Sequence, residues 1–334
     1  MMSIPDFTRK WASPINTVKI GATQEEGGTR SHTITVGGET TLPFLHFEGK
    51  MSHFPVVAME VWDVPPKDWH PLLAEFFSDV WGDPASWAKK CEEEFGARLI
   101  CLRLQGCDPD GENRGSEEAS RAVKSVLEAV GSPLIIWGCG NDDKDNEVLP
   151  KCSEVSAGES CLFGSITEDN YKTLVALCKA DGHKLISESP VDINIAKQVN
   201  VLATDLGLDP QDIVIYPTTG ALGYGIEYVY TIMERGRLAA LGGDKMWAMP
   251  IICDIGKEVW KVKEAASSQE EAPQWGDHRQ RGPLWEATTA YTYLLAGANI
   301  IVMRHPEAAK EVTEFIGKLM EKPGSSNGSE EETK

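Results

Sequence analysis

The chain has 334 residues, enough for two average domains or one large α/β domain, and its 41% hydrophobic and 25% charged side chains are an ordinary globular composition that excludes disorder over most of its length. Its 51 acidic side chains against 32 basic give a formal charge of −19, which argues against a nucleic-acid or anionic-membrane surface spread over the whole molecule. No apolar run approaches the ~20 residues that span a bilayer, and the N-terminal MMSIPDFTRKWASPIN lacks an apolar signal core, so a cytoplasmic protein with neither a membrane nor a nucleic-acid partner is expected.

In chain order, residues 1–17 read as a short N-terminal segment. Residues 18–49 alternate β-formers such as HTITV with Gly-Gly pairs at 27–28 and 37–38, the pattern of a small antiparallel hairpin extension. From residue 50 the rhythm becomes apolar strand, loop and amphipathic helix, repeated to about residue 320. The expected strands are 54–62, 98–106, 133–140, 161–167, 183–189, 212–218, 246–255 and 299–305, most of them short continuous apolar runs of the kind buried on both faces. Between them SEEASRAVKSVLEAVG, EDNYKTLVALCKA, DINIAKQVNVLATDLG, GIEYVYTIMERGRLAALG and GPLWEATTAYTYLLAGA read as helices. Ser116 is the expected cap of the first, with Gly131 at its end, and Thr167 or Asp169 caps the second.

Eight strands in about 270 residues, with no G-x-G-x-x-G after the first, predict an eight-stranded parallel β/α (TIM) barrel with a short N-terminal β-rich extension rather than a doubly wound open sheet. Residues 321–334, rich in Gly, Ser and Glu, read as a disordered acidic tail. The eight cysteines lie far apart without a C-x-x-C pair, so they read as reduced, buried thiols, and no iron–sulfur or zinc site is expected within the chain.

In a barrel, chemistry sits at the C-terminal ends of the strands. Those ends supply one histidine, His305, which precedes Pro306 and reads as a helix entry; several would be needed for a metal hydrolase. No strand end supplies a Schiff-base lysine. Glu60 and Glu188 are the candidate carboxylate pair. The loop PTTGALGYGIEYVY sets Gly220, Gly223 and Gly225 before a helix. It suits either close approach to an anion or flat ligand or a tight packed turn. A loop of about 25 residues is expected after the seventh strand, where Trp275, Asp277, His278, Arg279 and Arg281 suit a large polar cofactor or a partner protein. A solvated insertion is the alternative.

Several long stretches, among them VKIGATQEEGGTRSHTITVGG, WGCGNDDKDNEVL, SPVDINIAKQ, GALGYGIEYVYTIMERGRLAALGGDKMWAMPIICDIGKEVWKVKEA and GPLWEATTAYTYLLAGANIIVMRHPEA, resemble the small subunit of the corrinoid iron–sulfur protein, the delta-type subunit of acetyl-CoA decarbonylase/synthase, over residues 18 to 320. The resemblance implies a β/α barrel that pairs with a large subunit to form a heterodimer. The cobalt corrinoid (cobalamin) lies at the interface, held chiefly by the large subunit, and the iron–sulfur cluster lies in that partner only. It implies methyl transfer from a methyltetrahydrofolate methyltransferase to acetyl-CoA synthase, both transient partners, in the reductive acetyl-CoA pathway of carbon fixation in anaerobes. The chain itself is then a non-catalytic cover.

On that footing the expected cofactor-binding residues are Asn141, Thr218, Thr219, Gly220, Gly223, Tyr224, Asp254, Arg279 and Arg281, with none catalytic and none ligating metal. The D-x-H-x-x-G pattern that ligates a corrinoid is missing, so no histidine here is expected below cobalt. The alternative is a stand-alone pterin-binding methyltransferase using methyltetrahydrofolate, to whose barrels the chain is distantly similar. Asn141 and Asp254 match part of the required aspartate–asparagine set, whereas Tyr216 and Thr218 do not.

Overall fold

The structure, a computed structural model, describes residues 8–321; the first seven residues and the tail from 322 onward lie outside the described residues. Two antiparallel strands come first, β1 (Thr17–Ile20) and β2 (Ile34–Gly37), in register from Thr17 opposite Gly37 to Ile20 opposite Ile34. They are followed by β3 (Val56–Trp62), α1 (Pro71–Phe77), α2 (Pro84–Glu93), β4 (Ile100–Arg103), α3 (Ser116–Ala129), β5 (Leu134–Trp137), α4 (Asp142–Val155), β6 (Leu162–Ile166), α5 (Tyr171–Asp181), β7 (Lys184–Glu188), α6 (Ile193–Asp205), β8 (Ile213–Tyr216), α7 (Ile226–Leu241), β9 (Ile252–Asp254), α8 (Gly256–Val259), α9 (Lys263–Ala266), α10 (His278–Ala296), β10 (Ile300–Met303) and α11 (Pro306–Met320).

The eight strands β3 to β10 pair in parallel in the order β8-β7-β6-β5-β4-β3-β10-β9. A bridge between Ile215 and Ile251, with the Ile215 N–H donating to the Pro250 carbonyl at 2.8 Å, joins the two ends into a barrel. The predicted eight-stranded fold is therefore present, each strand falling inside its predicted segment. Period-two alternation divides the core. Ala58, Leu99, Cys101, Ile135, Leu162, Ile186, Val214, Ile252, Ile300 and Val302 fill the barrel interior, while the alternate residues pack outward on the helices.

The β1–β2 ribbon belongs to the interior cluster: Val18, Ile20, Ile34 and Val36 pack against those inward side chains. Its flanks bind the ends where strands begin. The Gly21 N–H donates to the Ser160 carbonyl, Arg30 pairs with Glu159 and donates to the carbonyls of Leu127, Val130 and Ser132, and Asn16 donates to the carbonyl of Pro210. The ribbon thus plugs the N-terminal mouth and leaves the C-terminal mouth for chemistry.

Several local expectations are corrected. Gly115, not Ser116, caps α3, because the Glu118 carboxylate reaches back to the Gly115 N–H at 3.2 Å; Val130 rather than Gly131 ends the helix. Asn170 caps α5 and folds residues 167–170 into a turn by accepting from the Thr167 N–H. Helices α1, α2 and α4 were not expected; α4 is polar and contains Pro150, which hides its period. Most consequentially, the stretch after the seventh strand is not a 25-residue loop. It folds into α8, α9 and the first turn of α10, so Arg279 and Arg281 are helical and Asp277 is the cap, accepting from the Arg279 N–H at 3.0 Å.

Candidate functional site at the C-terminal mouth of the barrel

Continuing the alternation to the C-terminal end of each strand places Glu60, Arg103, Trp137, Gly164, Glu188, Tyr216, Asp254 and Arg304 in one inward layer. Arg103 is its centre. Its guanidinium donates to Glu60 at 2.6 Å and to Asp254 at 2.5 Å, and it stands 4.9 Å over the Trp137 ring. Arg304 donates to Glu60 from the other side, and Trp62 is a third donor residue, through Nε1 at 2.8 Å. Burial alone would raise the Glu60 carboxyl, but Arg304 and Arg103 outweigh it and hold it well below the usual carboxylate range. For Asp254 burial dominates and raises the carboxyl despite Arg103. Burial likewise raises Glu188, whose carboxylate accepts from the Ser165 hydroxyl. Glu60 and Glu188 thus have separate partners.

Above this layer lie the loops after β7, β8 and β9. Thr218 adopts a left-handed φ of 52°, fixed by its hydroxyl donating to the Ser189 carbonyl at 2.5 Å. Val191 on the neighbouring loop has φ 53°. Of the described residues, these two are the only β-branched side chains at positive φ, a conformation that costs roughly 1–3 kcal/mol each and gathers at working surfaces. The Thr219 hydroxyl donates to the Asp254 carbonyl, tying loop to floor.

The glycine loop rests on one face of α10. The Tyr293 hydroxyl accepts from the Gly220 N–H at 3.0 Å and donates to the Gly220 carbonyl at 2.7 Å, Thr289 accepts from the Leu222 N–H, and Trp285 Nε1 donates to the Leu222 carbonyl at 3.0 Å. Gly223 and Gly225 have φ of 80° and 90°, and a side chain at Gly223 would meet nothing closer than 4.0 Å, so its backbone is open to close approach. Trp285, Thr289 and Tyr293 were not singled out from sequence. Their i, i+4, i+8 spacing on a helix already expected there is the signal that would have found them.

The expected residues therefore divide. Thr218, Thr219, Gly220, Gly223, Tyr224 and Asp254 share one sector over β8 and β9. Tyr224 is 48% exposed, and the Glu264 carboxylate beside it raises its phenol. Arg279 is exposed and paired with Glu75 of α1. Arg281 is buried, donating to the carbonyls of Ser267 and Ser268 at 2.9 and 3.2 Å, with Trp275 5.8 Å away. Asn141 stands apart beyond β5, exposed and capping α4 through the Lys144 N–H at 3.0 Å. His305 enters α11 as expected, its ring packed on Phe76 and Trp260.

All eight cysteines are free thiols, and burial pushes even the half-exposed Cys139 up to about 12. Among the described residues, no cluster of three His, Cys, Asp or Glu side chains forms a metal site, and no helix is long and apolar enough to cross a membrane.

Over residues 17–268 the sequence matches the family model described as CO dehydrogenase/acetyl-CoA synthase delta subunit. The chain belongs to this family. It is 37% identical over 322 residues to the acetyl-CoA decarbonylase/synthase complex subunit delta of Archaeoglobus fulgidus, covering 94% of this chain and 70% of that relative. With the subunit delta of Methanocaldococcus jannaschii it shares 36% identity, covering 94% and 76%. Both relatives are named as subunits of a complex. Its barrel is similar to Xanthomonas albilineans dihydropteroate synthase with 4-aminobenzoic acid, at TM-score 0.53 and 14% identity over 81% of this chain and 95% of that one. The dihydropteroate synthase of Thermus thermophilus gives 0.52 and 13% over 80% and 94%. At such identity the likeness establishes the fold alone.

Proposed function

We propose that this delta-family chain is the barrel subunit of a heterodimeric corrinoid iron–sulfur methyl carrier, and that its C-terminal rim covers a cobalt corrinoid held mainly by the large subunit. The observation that carries this reading is the apolar crown over β7 to β9. Val191, Tyr224, Tyr228, Trp275 and Leu284 are large hydrophobic side chains, each more than one-third exposed, and all sit on the loops or first two helical turns after those three strands. Exposed apolar groups gathered on a functional rim mark a binding surface.

The residues present fit a corrinoid. Its faces are flat and largely apolar, which suits Tyr224 and Trp275, and its peripheral amides suit the open backbone at Gly223 and the rim carbonyls. When bound, the corrinoid supplies the cobalt that accepts and releases a methyl group. The chain's residues do the rest: the crown excludes water, the α10 triad of Trp285, Thr289 and Tyr293 sets the height of the glycine loop, and the Arg103–Glu60–Arg304 network keeps the floor rigid beneath it. The rim yields when a methyltransferase or acetyl-CoA synthase docks, a gating role.

A stand-alone pterin methyltransferase finds less support, since Asn141 is spent as a helix cap and Asp254 is bonded to Arg103. Titrating methyltetrahydrofolate into the purified chain separates the two readings. The carrier reading expects no heat from the chain alone and a corrinoid absorption band only after the large subunit is added. Pterin binding lost in Asn141→Ala, or a corrinoid band from the chain alone that the partner leaves unchanged, would overturn it.

A further inference from the structure

A well-formed cavity lies away from the rim. It occupies about 630 Å³ between β2, the segment entering β3, the turn between α2 and β4, and the outer helix α11. Apart from α11, which follows β10, its lining comes from β2, the start of β3 and the segments that enter β3 and β4, which sets it at the opposite end of the barrel from the crown. The volume falls within the ~300–1,000 Å³ of small-molecule sites.

The lining has two chemistries. Val57, Met59, Phe95, Ala309 and Ile316 supply apolar surface, and Phe54 presents a ring that is 58% exposed. The polar part holds two cations, Arg98 and Lys310, beside the hydroxyls of Thr33, Thr35, Ser52 and Thr313 and the His53 ring; Glu314 is the one carboxylate. Neither the Arg98 guanidinium nor the Lys310 ammonium has an ion-pair or hydrogen-bond partner among the described residues. Elsewhere the arginines that border cavities or cores are spent: Arg30, Arg103, Arg237 and Arg304 all bond to named acceptors. Arg98 and Lys310 are solvent-exposed, and with Glu314 the one carboxylate of the lining, the two cations against one anion leave this cavity locally positive in a chain of formal charge −19.

We propose that this cavity binds an amphiphilic anion, with an apolar body lying on Phe54, Phe95 and Ile316 and a single carboxylate, sulfonate or phosphate head held by Arg98 and Lys310. The site is independent of the corrinoid reading, because no residue of the rim contributes to it. Arg98 offers a planar fork to the head group and Lys310 a point charge, while burial of the body provides the bulk of the affinity.

Calorimetric titration of the full chain with decanoate, kept below its micellar concentration, and separately with anilinonaphthalene sulfonate tests this. The expected result is saturable binding of at least one probe at one site per chain. Decan-1-ol and the variant Arg98→Gln/Lys310→Gln should each bind at least about tenfold more weakly, as expected when charge-assisted bonds are removed. Thr313→Trp, a substitution at an exposed lining position that fills the cavity, should abolish binding with an unchanged thermal midpoint. Silence with both probes, equal affinity for decanoate and decanol, or a double Gln variant indistinguishable from the natural chain would each overturn the proposal.

Discussion

At the scale of single residues, the mouth of the barrel is governed by how few charges can be taken out of water without partners. Arg103 is almost wholly buried between two carboxylates, Glu60 and Asp254. Its loss leaves both without their shared cation. Arg103→Met is therefore expected to destabilise the fold by about 3–5 kcal/mol, measured by urea denaturation, with part of that loss recovered in Arg103→Met/Asp254→Asn. His183 gives the pH dependence. Its Nδ1 accepts from the Cys161 N–H at 3.2 Å, so a proton placed there would face another donor, and burial lowers the ring from its ordinary value of 6.5 to about 4. A depressed base binds fewer protons in the native state, so the stability it contributes is complete above pH 6.5 and is lost as pH falls towards 4. Over that interval the unfolding free energy of His183→Gln should fall less steeply than that of the natural chain, by up to about 1.4 kcal/mol per pH unit. Parallel slopes would refute the assignment.

At the scale of elements, the decisive pairing is that of α10 with the glycine loop. Tyr293→Phe keeps the ring in its buried place and deletes both bonds to Gly220, at an expected cost of about 1–2 kcal/mol. Amide hydrogen exchange at residues 220–225 should quicken well beyond that elsewhere in the barrel; uniform acceleration would mean a global effect instead. This pairing also shows what was legible in the sequence and what was not. Strand positions and the glycine loop could be read because continuous apolar runs and glycines at 220, 223 and 225 are local signals. The start of α10 could not be read, because HRQR carries no apolar period and its cap, Asp277, precedes a polar turn. The apparent long loop followed from that. Contacts such as Arg103 to Asp254 join positions 151 apart, and no local pattern encodes them, although inward alternation did put both at strand ends. Asn141 illustrates the converse: a polar residue at a strand end whose side chain is used by the next helix.

At the scale of the whole molecule, the two mouths of the barrel are treated oppositely. The N-terminal mouth is sealed by Val18, Ile20, Ile34 and Val36 of the ribbon, each worth roughly 1.5–3 kcal/mol when fully buried, a sum comparable with the whole stability of a domain. Val36→Asp should accordingly prevent folding or cause aggregation, seen as loss of a cooperative thermal transition. The C-terminal mouth keeps its floor paired and its crown apolar and exposed, a division of labour suited to covering a large flat ligand between subunits. Hydrogen exchange of the chain alone and in the corrinoid-loaded heterodimer tests that claim most directly. Protection concentrated at residues 189–191, 218–228 and 275–285 is predicted, whereas an unprotected rim in the fully loaded complex would contradict it.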